Sequence, residues 1–146
     1  MNRNLFVVAI LLLFAASCSV TKQLPEGELL YIGGKVIVKD NSVSHKERKA
    51  LQSKLNEITR PLPNKKILGL RPRLFFYNLA GNVKKEKGFR HWLKFTIGEA
   101  PVLFSQVDLE YNRSLLQNYS ENNGYFNTRT SADSTKFGKK VRADYT

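Results

Sequence analysis

Cysteine is almost missing from this sequence. Cys18 is the only one, which excludes any disulfide within the chain. Histidine is nearly as scarce: His45 and His91 stand alone, each inside a basic run. No Cys/His or His/Asp cluster has metal-ligand spacing, no nucleophile elbow occurs, and no glycine-rich phosphate loop is present. The 12 Asp and Glu residues are scattered. These absences argue against an enzyme, against a cofactor and against a bound metal. Also missing is a membrane-spanning run. The longest apolar stretch, residues 5–16, is twelve residues long, where crossing a bilayer takes roughly 20. No repeat or low-complexity tract is visible.

What is present begins at the N-terminus. Residues 1–4 carry one positive charge at Arg3, the apolar run follows, and Ala15, Ala16 and Ser17 are small. That order is the pattern of a secretory signal peptide, here residues 1–17. Cys18 follows the small residues directly, in a position that resembles the lipobox of bacterial lipoproteins, with Ala15 where that pattern has Leu. The resemblance implies lipid on the Cys18 thiol, cleavage before it and acylation of the new amine. Two or more acyl chains, at about 0.8 kcal/mol per buried methylene, anchor a protein stably. Residues 18–27 are then a lipidated tether, closed by Pro25-Glu26-Gly27.

Acid is the other scarce commodity: 24 Lys and Arg face 12 Asp and Glu, a formal charge of +12. Between Arg60 and Lys94 ten basic residues meet one acid, Glu86. In a cytosolic protein such a stretch would suggest nucleic acid. Export and the lack of aromatic RNA-binding motifs argue against that partner. The nearer candidate is an anionic membrane surface met by Lys65, Lys66, Arg71, Arg73, Lys84, Lys85 and Lys87. Phe75, Phe76, Trp92 and Phe95 are interleaved with them, for which core packing is the plainer expectation.

The rest of the chain, at 42% hydrophobic and 25% charged, is that of one small α+β domain. Residues 29–39 read as a strand, Val36 and Val38 on one face and Ile37 on the other, with Gly33-Gly34 marking a bulge or the start of pairing. Ser44 and Glu47 have capping-box spacing. Behind them Leu51, Leu55 and Ile58 form a helical stripe ended by Pro61 and Pro63. Residues 64–104 break into short helices or irregular structure, with Phe89, Trp92 and Phe95 on one face. Val107, Tyr111, Leu115 and Tyr119, with Leu116, predict an amphipathic helix ended at Gly124. A hairpin follows: a strand over 125–132 with Phe126, Thr128, Thr130 and Ala132 alternating, a turn over 136–140, then Val141, Ala143 and Tyr145.

Removing the insert, about residues 61–104, leaves β-α-α-β-β, an order that resembles a POTRA domain over residues 28–146. Asn122-Asn123-Gly124-Tyr125-Phe126 resembles the Gly-Tyr-Phe corner of that fold. More specific is an ordered set: Cys18-Ser19-Val20-Thr21-Lys22-Gln23-Leu24-Pro25-Glu26-Gly27, Pro63-Asn64-Lys65-Lys66-Ile67-Leu68-Gly69, Tyr77-Asn78-Leu79 and Gly98-Glu99-Ala100-Pro101-Val102. Together these resemble the N-terminal region of the Bacteroidetes lipoprotein branch of the BamA/TamA outer-membrane assembly superfamily, often called TamL. The resemblance implies a lipid-anchored, periplasm-facing module at the outer membrane, and the first part of a longer barrel protein. Its partners would be unfolded outer-membrane proteins or periplasmic subunits, held along an edge strand near Phe126, Thr128, Thr130 and Ala132 by β-augmentation. The alternative is a peripheral lipoprotein whose basic-aromatic segment binds anionic membrane.

Protein recovered from bacterial membranes should have the mass of residues 18–146 plus acyl chains, and Cys18→Ser should release it. An unmodified mass, or a variant equally membrane-bound, contradicts the anchor.

Overall fold

A side-chain cap opens each of the two long helices of this protein. The computed structural model describes residues 20–40 and 42–146, so the signal peptide and Cys18 lie outside the described residues. The protein is of mixed α+β type. It divides into two compact units, one of residues 27–63 and 102–146, the other of residues 20–26 and 64–101 among those described.

The first unit holds a three-stranded sheet of order β1-β3-β2. β1 (Leu30–Val36) runs parallel to β3 (Lys140–Tyr145), and β2 (Ala132–Phe137) runs antiparallel to β3. Of the two readings of Gly33-Gly34 the bulge holds, since pairing already begins at Leu30 and the β1–β3 register shifts between Tyr31 and Gly34. Gly33 has φ 120 there, a value that side chains resist. Helix α1 (His45–Ile58) opens on the expected capping box, with Glu47 N–H donating to Ser44 Oγ at 3.3 Å and Ser44 N–H to Glu47 Oε2 at 2.9 Å. It buries Leu55 and half-buries Leu51 and Ile58 against the sheet. Asn56 accepts from Val36 N–H at 2.9 Å, and Gln52 donates to Val36 C=O at 3.4 Å, fastening the helix to the end of β1.

The second long helix of this unit, Leu109–Asn122, is capped by Asp108, which accepts from Tyr111 N–H at 2.8 Å. At its other end Tyr125 N–H donates to Ser120 C=O and Gly124 N–H to Glu121 C=O, both 3.0 Å, while Gly124 takes φ 95. That pair of bonds is a Schellman stop, so Gly124 ends the helix as its position implied. The buried face differs from the expected one. Tyr111 is 57% exposed, and the buried positions are Asn112, Leu116 and Ser120. Asn112 makes the difference. It accepts from Arg60 N–H at 2.7 Å and donates to Arg60 C=O at 2.5 Å and Asp108 C=O at 3.0 Å. A polar side chain with so many partners holds a core position that apolar periodicity assigns elsewhere.

The hairpin also differs. Only Gly138-Lys139 separate Phe137 from its partner Lys140, and Gly138 has φ 61, the glycine that a two-residue turn needs. Counted back from so tight a turn, the residues facing β3 are Ala132–Phe137. The strand expected over 125–132 is therefore displaced: Phe126, Thr128 and Thr130 precede it, and Ala132 is its first residue. The core joins Tyr31, Val36, Leu55, Leu116, Ala143 and Tyr145.

The other unit contains α2 (Pro72–Ala80), with Pro72 at its first turn, and α3 (Phe89–Trp92), which runs into a π-helical turn at Leu93–Ile97. With the helices numbered in order, Leu109–Asn122 is α4. Residues 20–26, expected as a tether, belong with this unit: Asn78 Nδ2 donates to Val20 C=O at 3.0 Å. Its ends are clasped by buried Asn64, which donates to Glu99 Oε1 at 2.8 Å and Ala100 C=O at 2.7 Å.

Asn112→Ala strands the Arg60 amide and carbonyl and should lower unfolding free energy by about 2–3 kcal/mol, measured by denaturant melts. A loss under about 0.5 kcal/mol would show the site to be wet.

Candidate functional site

Two surfaces have the chemistry to bind something, one on each unit.

On the sheet unit the surface is β2. Val102–Phe104 cover the outer side of β1 at its start, through Tyr31 N–H to Val102 C=O at 2.9 Å and Phe104 N–H to Leu29 C=O at 2.8 Å. The outer side of β2 has no strand beside it among the described residues. Ser131 and Thr146 exchange both backbone bonds, at 2.8 and 3.1 Å. Antiparallel alternation then turns Asp133, Thr135 and Phe137 toward β3 and sends the N–H and C=O of Ala132, Ser134 and Lys136 outward. One outward donor is already engaged: Ser134 N–H donates to Asp133 Oδ1 at 2.7 Å.

The solvent face of the hairpin is polar. Arg142 donates to Asp144 Oδ1 at 2.7 Å and lies 5.4 Å from the Phe137 ring centre, and Thr135 donates to Asp144. Burial pushes the Asp144 carboxyl up, but the hydrogen bonds from Arg142 and Thr135 and the charges of Arg142 and Lys35 hold it below the usual carboxylate range.

Of the expected edge residues, Ala132 is on the edge strand. Phe126, Thr128 and Thr130 instead line a hollow of about 720 Å³ floored by Val36, Leu51, Leu55 and Leu116. Phe126 is 80% exposed, and Thr128 folds back to donate to Tyr125 C=O.

On the other unit the surface is cationic. Lys65, Lys66, Arg71, Arg73, Lys84, Lys85 and Lys87 all belong to it. With Lys22, Arg90 and Lys94 they make ten basic residues against Glu26, Glu86 and Glu99, a net +7 for the described part. All seven candidates are exposed except Arg71, which is half-buried, and burial lowers its guanidinium from the ordinary value. Arg73 donates to Ile97 C=O at 3.2 Å. Lys94 donates to Gly81 C=O at 2.8 Å and stands 4.7 Å from the Tyr77 ring centre, a cation–π distance.

The aromatics of this segment were expected to pack a core, and several do not. Phe75 and Phe76 are half-buried and meet edge to face at 5.7 Å. Phe89, Trp92 and Phe95 are exposed, as are Ile67, Leu68, Leu70 and Leu79. The reason is size. A unit of this length cannot enclose so many large side chains, and it buries Leu74 and Ala80 instead. His91 lies 4.7 Å from Phe95 and His45 is exposed at the start of α1.

Among the described residues no cluster of three or more His, Cys, Asp or Glu could hold a metal ion. No described helix is long and apolar enough to cross a membrane. Comparison with known protein families, with curated proteins and with solved structures finds no match to this chain.

Gly98 is where the cationic unit closes on itself. A β-carbon there would sit 2.5 Å from Lys94 O and 2.9 Å from Tyr77 N and Cα. Gly98→Ala should therefore destabilise this unit by about 1–3 kcal/mol, read as earlier proteolysis within residues 64–101. Unchanged proteolysis would mean that the backbone there yields.

Proposed function

We propose that this chain is a non-enzymatic, periplasm-facing binding and scaffolding module of an outer-membrane protein assembly or translocation machine. In this reading it is held to the membrane by lipid on Cys18 and belongs to a POTRA-like, TamL-like lipoprotein. The carrying observation is the open outer side of β2, beside a sheet whose other edge begins covered. The strand-helix-helix-strand-strand order around a sheet of order β1-β3-β2 supports the POTRA-like part once the cationic unit is set aside.

An extended segment of an unfolded outer-membrane protein, or of a periplasmic subunit, would add to β2 by backbone pairing. The outward groups of Ala132, Ser134 and Lys136 supply the donors and acceptors. The small side chains of Ala132 and Ser134 leave the approach open. The Asp133 carboxylate on Ser134 N–H and the charge of Lys136 oppose indiscriminate pairing, as edge strands require. Capture is then reversible: an incoming carbonyl must displace Asp133, so the net gain at that position is small.

Two substitutions move capture in opposite directions. Ser134→Pro leaves the β3 ladder untouched and sets a ring where an incoming strand must lie, which should weaken binding of a fluorescent outer-membrane-strand peptide roughly tenfold, more by blocking the approach than by the hydrogen bond lost. Asp133→Ala frees the Ser134 N–H and should tighten binding. Equal affinity for the parent and both variants, with melting temperatures unchanged, removes β2 from the reading.

A further inference from the structure

The cationic unit contains a feature that the edge strand does not explain. Ile67 and Leu70 exchange backbone bonds of 2.8 and 3.0 Å across a two-residue turn. Both central residues have positive φ, Leu68 at 49 and Gly69 at 80. Turns of this kind favour Asn-Gly or Gly-Gly, because a branched side chain in the left-handed region is strained. Leu68 is nevertheless leucine, and it is 98% exposed. Ile67 and Leu70 beside it are 59% and 42% exposed. Strain and exposure both count against leucine in the chain by itself, so a contact outside the chain is the physical use left for that side chain.

Charge identifies the contact. Lys65 and Lys66 precede the turn and Arg71 and Arg73 follow it, and no Asp or Glu occurs anywhere from Pro61 to Lys85. An apolar tip collared by cations matches a surface that is negative at its face and apolar a few ångströms beneath. The long basic side chains can keep their charges among headgroups while their stems follow the apolar tip inward.

We propose that the Ile67–Leu70 turn is a wedge that inserts Leu68 into the headgroup boundary of an anionic bilayer. The proposal does not rest on β2 or on the POTRA-like reading.

The test uses the full chain and exploits its single tryptophan, Trp92. In a Trp92→Phe background, Leu68→Trp places the only indole at the tip. In vesicles of phosphatidylglycerol and phosphatidylcholine its emission should shift to the blue and be quenched by brominated acyl chains. Both effects should vanish in pure phosphatidylcholine, in high salt, or with Lys65→Gln and Lys66→Gln. Water-like emission on the anionic vesicles overturns the proposal. So does a blue shift already present without vesicles, which would mean that the tip docks on protein. Leu68→Asn tests the same point without an added ring, since Asn suits positive φ. It should keep or raise the melting temperature while weakening flotation with anionic vesicles several-fold, because the cations alone are left to hold the surface. A lowered melting temperature would show that Leu68 serves the fold instead, and would sink the wedge.

Discussion

The parallel pairing of β1 with β3 is the constraint on which the rest of the sheet unit depends. It sets Leu30 beside Lys140 and Val36 beside Tyr145, joining segments from opposite ends of the described chain. Closing so long a loop has an entropic cost that grows only slowly with length, which is why the larger part of a second unit, residues 64–101, can be accommodated inside it. The pairing also assembles the core, because Tyr31 and Val36 from β1 meet Ala143 and Tyr145 from β3 under Leu55 and Leu116. Both tyrosines are buried, and burial pushes both phenols above their ordinary value.

The second unit is possible because its excursion is closed at its own neck. Asn64 spans from one end of the segment to Glu99 and Ala100 at the other. Gly98 permits the π-helical turn to lie against the backbone of Tyr77. With its ends tied, the segment needs only a small core, and its large apolar side chains are free to serve the surface. An insert judged by composition alone looks able to bury its rings, and enclosing them takes more chain than is there.

What was legible in the sequence was chemistry decided by neighbours. The Ser44–Glu47 capping box, the Gly124 stop and the Gly33-Gly34 bulge depend on residues a few positions apart, and each occurs where the spacing put it. The cationic candidates could be grouped because the charge lies in a nearly continuous stretch that folds as one unit. Asn112 was not legible, since its partner Arg60 is fifty-two positions away and periodicity counts only apolar residues. Strand β2 was misplaced because Phe126, Thr128 and Thr130 have strand composition while the true strand, ADSTKF, does not. There the two-residue turn decided the register. The Leu68 turn did leave a trace: Gly69 between two aliphatic neighbours is a hairpin signal, though Leu in the preceding place hides it.

The bond from Asn78 to Val20 has a mechanical consequence. Two peptide units separate Val20 from Cys18, a span of at most about 7 Å when fully extended. If Cys18 bears lipid, the peptide leash between the lipidated cysteine and the cationic unit is about as long as one headgroup layer is thick, roughly 5–8 Å, instead of the ten-residue spacer that residues 18–27 would provide if slack. The unit would then meet the bilayer at a high effective concentration, and even a weak surface contact would be populated nearly all the time. The anchor would act less as a mooring than as a hinge, fixing how far the unit can rise and leaving the orientation to its own charges.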